Sequence, residues 1–207
     1  MHWKEYFSNS HLKIEFFLTI FLLIISLIFL TRFLNWVELR GGVVLNDPIL
    51  RLFEPIDLSW LIFLLIYVSL LVGVVIFIKS PDILILAIQS YIIMVFIRIL
   101  MMYLLPLNPP EKSIILIDPV VNYIGTGKNL TKDLFFSGHT ATLFLLFLVA
   151  NKKLLKMIFL VSTILVAAGV LLQHVHYFID VAAAFFFAYC SYKIAEYFHL
   201  KVLKGTR

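Results

Sequence analysis

The chain has 207 residues, 62% of them hydrophobic and 14% charged, with a mean hydropathy of +1.03. A soluble domain of this length cannot bury that much apolar side chain, so part of its solvent must be lipid. The formal net charge of +5 is scattered between apolar runs rather than gathered with aromatics on a polar face, which argues against a nucleic-acid partner and for headgroups and topology signals.

Crossing a hydrocarbon core takes about 20 apolar residues. Six segments qualify: Leu12–Leu34, Leu58–Ile78, Ile83–Leu105, Leu134–Ala150, Leu154–Gln173 and Phe178–Phe198. The expected fold is therefore all-α, a polytopic six-transmembrane-helix bundle forming a single membrane domain over 1–207. The first segment is too long for a signal-peptide core and is followed by no small-residue cleavage site, so it reads as a retained helix. The loop Asn35–Asp57 mixes Val43, Val44, Leu45 and Phe53 with Arg40, Asp47, Arg51 and Glu54, a pattern suited to the membrane interface. Ser80-Pro81-Asp82 supplies a cap, a proline at the first helical position and a first-turn acid, which predicts a tight hairpin between the second and third spans.

The loop Pro106–Asp133 carries Pro106, Pro109, Pro110, Pro119, Gly125 and Gly127 and should be irregular. It also contains Asn129-Leu130-Thr131, a glycosylation sequon. Cys190 is the only cysteine and lies in an apolar run, which excludes an intrachain disulfide. With six spans, both termini share a side with Lys4, Lys13, Lys79, Lys152, Lys153, Lys156, Lys193, Lys201, Lys204 and Arg207. The positive-inside rule assigns that side to the cytoplasm, with the plasma or inner membrane as location.

Ionisable residues at the mouth of an apolar bundle are costly and usually functional. Phe136-Ser137-Gly138-His139-Thr140 opens the fourth span and His174-Val175-His176-Tyr177-Phe178-Ile179-Asp180 opens the sixth; alternation puts both openings on the non-cytoplasmic side. His176 and Asp180 are four apart, so a helix brings them to one face. A carboxylate on one imidazole nitrogen fixes the tautomer and supports the cation formed on attack, which makes His176 a candidate nucleophile. His139, from another helix, can protonate the departing oxygen. Ser137, Gly138 and the amides of a helix start offer donors to phosphoryl oxygens, and Arg98 is a candidate clamp on the phosphate. Taken singly, each residue also has a structural use: the His–Asp pair as a packing hydrogen bond, Ser137 as a plain cap, a lone histidine as an interfacial side chain.

Metal binding is the rival use of the histidines. His174 and His176 diverge on a helix, and neither His-Glu-x-x-His nor a cysteine cluster occurs, so no metal or other cofactor is expected. His2, His11 and His199 lie at the opposite side and read as solvated or interfacial.

Thr131-Lys132-Asp133-Leu134-Phe135-Phe136-Ser137-Gly138-His139-Thr140 resembles the Cys-Gly-Asp-x-x-Phe-Ser-Gly-His-Thr motif of the sphingomyelin synthase-like branch of the type 2 phosphatidic acid phosphatase superfamily. His174-Val175-His176-Tyr177-Phe178-Ile179-Asp180-Val181 resembles that branch's His-x-His-Tyr-Ser/Thr-x-Asp-Val/Ile motif. Arg98-Ile99-Leu100-Met101-Met102-Tyr103, followed by Pro106, is similar to its Arg-x-x-Thr-Met-Tyr segment. The resemblance implies His176 as nucleophile, Asp180 as its orienter and His139 as leaving-group acid, with Tyr103, Asp133 and His174 joining Arg98, Ser137 and Gly138 around the substrate. Thr131-Lys132 in place of Cys-Gly, Met101 in place of threonine and Phe178 in place of Ser/Thr separate the chain from the named synthases.

The superfamily's phosphatases instead resemble Lys-x6-Arg-Pro, Pro-Ser-Gly-His and Ser-Arg-x5-His-x3-Asp. No lysine here precedes an arginine by seven, Phe136 stands where proline would, and Val170 stands where the last motif has arginine. Two cations are thus missing. A phosphomonoester carries about −1.5 to −2 charges at neutral pH, so fewer cations suit a diester. The expected function is a lipid phosphotransferase that moves a phospho-headgroup from a phospholipid to a lipid alcohol such as ceramide through a phosphoryl-histidine. Hydrolysis by water, as in a lipid phosphatase or phospholipase, is the alternative, and a non-enzymatic membrane binding or transport protein is the second. Both substrates would be partners within the bilayer.

Overall fold

The computed structural model describes residues 2–116 and 130–205. Seven α-helices occur among them, besides a 3-10 turn at Leu50–Leu52: α1 Trp3–Ser8, α2 Ser10–Leu39, α3 Ser59–Phe77, α4 Pro81–Leu104, α5 Gly138–Val149, α6 Lys153–Leu172 and α7 Phe178–Gly205. No strand occurs among the described residues; a single parallel bridge joins Val43 to Leu107. Lys128, Asn129 of the sequon, Pro119, Gly125, Gly127 and Arg207 lie outside the described residues.

Five helices, α2, α3, α4, α6 and α7, are long and apolar enough to cross a membrane, as befits an integral membrane protein. The expected fourth span, 134–150, is the exception. Helix α5 has 12 residues, so at 1.5 Å per residue it reaches roughly 18 Å, well short of a core about 30 Å thick. Residues 134–137 do not join it. Phe135 takes a left-handed φ of 40°, which breaks any helix running in from Leu134. Ser137 then caps the helix, its side chain accepting the Thr140 amide and lying 3.1 Å from the Thr140 hydroxyl.

With the non-helical residues 150–152, α5 still returns the chain from one end of the bundle to the other, where α6 begins, but as an internal strut packed by α3, α4, α6 and α7. This explains its apolar residues on all sides. Leu143 and Leu146 face Ile62, Ile66, Phe159 and Val166 in one cluster, while Ala141 and Leu145 face Met94, Ala184 and Ala188 in another. Alanines 184 and 188, four apart on α7, let that backbone approach closely; between helices in lipid such packing replaces the hydrophobic drive.

Successive helices α2 to α7 alternate in direction. At one end, the tail of α2 meets the tail of α4 through Arg40, whose guanidinium donates to the Met102 and Tyr103 carbonyls. The start of α3 meets the tail of α6 through the Leu58 amide, which donates to the Gln173 side chain. The expected hairpin between α3 and α4 is present: Ser80 stands at the cap position, though its side chain makes no capping bond, Pro81 opens the helix and Asp82 is the first-turn acid.

The opposite end carries a polar cluster that differs from the expectation for His199. Rather than solvated or interfacial, His199 is 3% exposed, and its Nδ1 lies 2.8 Å from Glu15. Tyr6 and Gln89 donate to the same carboxylate at 2.9 Å each. Four helices thereby meet on one buried acid, which a pattern search cannot see because its partners lie far apart in sequence.

Candidate active site

The turn 173–177 that joins α6 to α7 places the first functional group. His176 is buried, and its Nδ1 lies 3.2 Å from Asp180 Oδ2; the expected pair forms, but not along one helical face, because His176 precedes α7 and meets the acid across the helix start. The same oxygen accepts the Tyr177 amide at 3.1 Å. The Asp180 carbonyl accepts the Ser137 amide at 3.1 Å, so a single residue orients the histidine and ties α7 to the start of α5. Asp180 is fully buried, and its Oδ1 has no hydrogen-bond partner among the described residues.

On the first turn of α5, His139 faces His176, with ring centroids 6.4 Å apart and planes at 63°. Phe63 of α3 flanks it edge-on at 6.5 Å. Arg98, 7% exposed on α4, completes the group. Its Nε donates to the Phe136 carbonyl at 3.0 Å and its Nη2 makes a 2.6 Å ion pair with Asp133. The guanidinium lies against Gly138: a Cβ there would stand 2.5 Å from Cζ and Nη1 and 2.7 Å from Nη2. Only glycine admits the arginine so close.

Seven expected residues are thus gathered at one end of the bundle: His139, His176, Asp180, Arg98, Ser137, Gly138 and Asp133. Two are placed differently. Tyr103 is 58% exposed, with its ring stacked on Trp36 and its carbonyl taking Arg40. It stands five residues beyond Arg98, and five residues advance a helix by about 500°, well past the face Arg98 uses. His174 takes a left-handed φ of 55° where α6 breaks and packs edge-on against Phe53 of the α2–α3 loop. Burial holds its imidazole below the ordinary histidine range.

Other supporting residues carry no motif. Asp47 accepts the Phe178 amide at 2.7 Å through one oxygen and the Ile49 amide at 2.9 Å through the other, so a loop acid caps α7. The Tyr177 hydroxyl donates to the Asn108 carbonyl and accepts the Leu45 amide, pinning both long loops beside His176. Gln173, fully buried, ties the α6 end to Ser59 and Ile114. Among the described residues no group of His, Cys, Asp and Glu is arranged to hold a metal ion.

Residues 132–197 match the family model described as PAP2 superfamily C-terminal. The matched stretch contains Asp133, Ser137, Gly138, His139, His176 and Asp180, and it supports the type 2 phosphatidic acid phosphatase superfamily rather than any branch within it. No curated protein matches the chain.

Proposed function

We propose that the chain is a membrane lipid phosphotransferase of sphingomyelin synthase-like type, and the observation that carries the reading is the facing pair His139–His176 beside Asp180 and Arg98. Asp180 engages Nδ1 of His176, which leaves Nε2 as the nucleophile. Attack on phosphorus forms the N–P bond as the P–O bond to diacylglycerol breaks, and His139 gives its proton to that oxygen. The acceptor's hydroxyl then attacks phosphorus, returns a proton to His139 and releases His176. Arg98 and the amides at the start of α5 hold the phosphoryl oxygens. No cofactor enters.

Charge balance favours a diester over a monoester. Among the described residues the guanidinium at the site, Arg98, already carries Asp133 as its counter-ion, which leaves little positive charge there for the second negative charge of a monoester. A monoanionic substrate needs no further cation. The superfamily match supports phosphoester chemistry in general, and with it hydrolysis by water. Lys4, Lys13, Lys79, Lys152, Lys153 and Lys193 are exposed at the end opposite the site, which supports a cytoplasmic placement for that end and a non-cytoplasmic site in the plasma or inner membrane.

The test is purified protein in detergent with headgroup-labelled phospholipid, with and without ceramide. Label moving to ceramide is the expected outcome. Label released only to water makes the chain a hydrolase, and no turnover across phospholipids and lipid phosphates leaves a binding or transport protein.

A further inference from the structure

The tail of α2 lies outside every motif, yet it holds both supports of Arg98. The Glu38 carboxylate accepts the Thr131 amide at 2.7 Å, the Thr131 hydroxyl at 3.1 Å and the Lys132 amide at 2.7 Å. Those residues lead directly into Asp133, whose carboxylate holds the Arg98 guanidinium. The Lys132 ammonium returns to the Arg40 carbonyl at 2.6 Å. Arg40 in turn donates to the carbonyls of Met102 and Tyr103 at the end of α4, the helix that carries Arg98, while it lies over the Trp36 ring at 5.0 Å. Residues 36–40 therefore fix the helix that bears the guanidinium and the segment that grips it.

Residues 131–137 form no regular element, so their place is set by side-chain bonds. Three bonds to a single carboxylate, all from consecutive residues, make Glu38 the main tether of that segment to a helix. Charge-assisted bonds of this kind are about twice as strong as neutral ones. Without them Asp133 can drift, and Arg98 loses the partner that holds it against Gly138, the residue before His139.

We infer that Glu38 is a positioning residue for phosphoryl transfer, acting through Asp133 on Arg98; this rests on the phosphoester reading above. Glu38 touches neither histidine and takes no part in bond making. Its contribution is to keep a guanidinium within the tolerance that in-line displacement demands.

A double-mutant cycle tests this on detergent-purified full-length protein, with an alkyl p-nitrophenyl phosphodiester as probe and thermal unfolding as the folding check. Glu38→Ala should lower kcat/KM by about ten- to a hundredfold, the usual consequence of a displacement near 1 Å. Glu38→Gln, which keeps one oxygen for the two amides, should recover most of that. In an Arg98→Lys background the Glu38→Ala loss should vanish, because the residue it acts through has gone. If Glu38→Ala does not fold, the same cycle with Glu38→Gln decides, its smaller loss having to vanish likewise. Losses that multiply in the double variant would overturn the positioning role, even with an active wild type. A wild type that turns over neither this probe nor any phospholipid would overturn the phosphoester reading and the inference together.

Discussion

Gly138→Ala separates a local view of the site from a tertiary one. Locally the change is favourable, since alanine is better in a helix than glycine by about 1 kcal/mol. The tertiary contact reverses the sign. The new Cβ would lie 2.5 Å from Arg98 Cζ, whereas ordinary contact begins at 3.4 Å, so 3.4 − 2.5 leaves about 0.9 Å to be found. The guanidinium cannot swing aside freely, because Asp133 holds Nη2 at 2.6 Å and the Phe136 carbonyl holds Nε at 3.0 Å. Either the ion pair opens, which withdraws Arg98 from the site, or the start of α5 moves, which displaces His139 on the next residue. Overpacking of this kind costs about 1–3 kcal/mol, and a 1 Å displacement at a reacting centre costs about 100-fold in rate. The expected result is a lower unfolding temperature in detergent together with kcat/KM down by about two orders of magnitude on phospholipid. A Gly138→Ala variant with an unchanged or higher unfolding temperature and wild-type turnover would refute the close approach of Arg98 to Gly138.

Other expectations follow from the same geometry. His176→Ala should form no phosphoryl-histidine and turn over nothing; His139→Ala should regain much of its rate when p-nitrophenolate, which needs no proton, replaces the natural leaving group, and equal losses on both substrates would remove the acid role. Asp180→Asn should keep the fold yet lose about four orders of magnitude by favouring the wrong tautomer, a size set by a serine protease; a small loss would make the His176–Asp180 pair structural. Burial lowers the pKa of His174, so below the ordinary histidine value of about 6.5 the unfolded chain binds a proton that the folded one resists. Stability should then fall as pH drops below that value and be flat above it, with His174→Gln abolishing the trend in thermal unfolding from about pH 5 to 8. Cysteine introduced at Lys153 should be labelled by an impermeant reagent only after permeabilisation, and labelling in intact cells would reverse the proposed topology.

The sequence alone determined what depends on neighbours a few positions away. Apolar runs located α3, α4 and α6 closely at both ends and α2 and α7 at their starts, since length and hydropathy suffice for a span in lipid, while α2 and α7 run on past the apolar stretch to Leu39 and Gly205. The spacing of four pointed to the His176–Asp180 pair, although His176 stands in the turn before α7 rather than on its face, and Ser137 was legible as a cap because its partner Thr140 is three residues on. What depends on how helices rotate and lean against one another was decided by the tertiary structure. Helix α5 carries as apolar a sequence as a span, yet it is a short internal strut because Phe135 turns the chain just before it. Tyr103 sits in the same motif as Arg98 but on another face, against Trp36. The bonds of Glu38, Asp47 and Glu15 to groups 93, 131 and 184 residues away have no local signature. Glu15 falls within the first apolar run and Glu38 and Asp47 within the loop assigned to the membrane interface, and only the packing of distant helices turns them into the ties that hold the site and its scaffold.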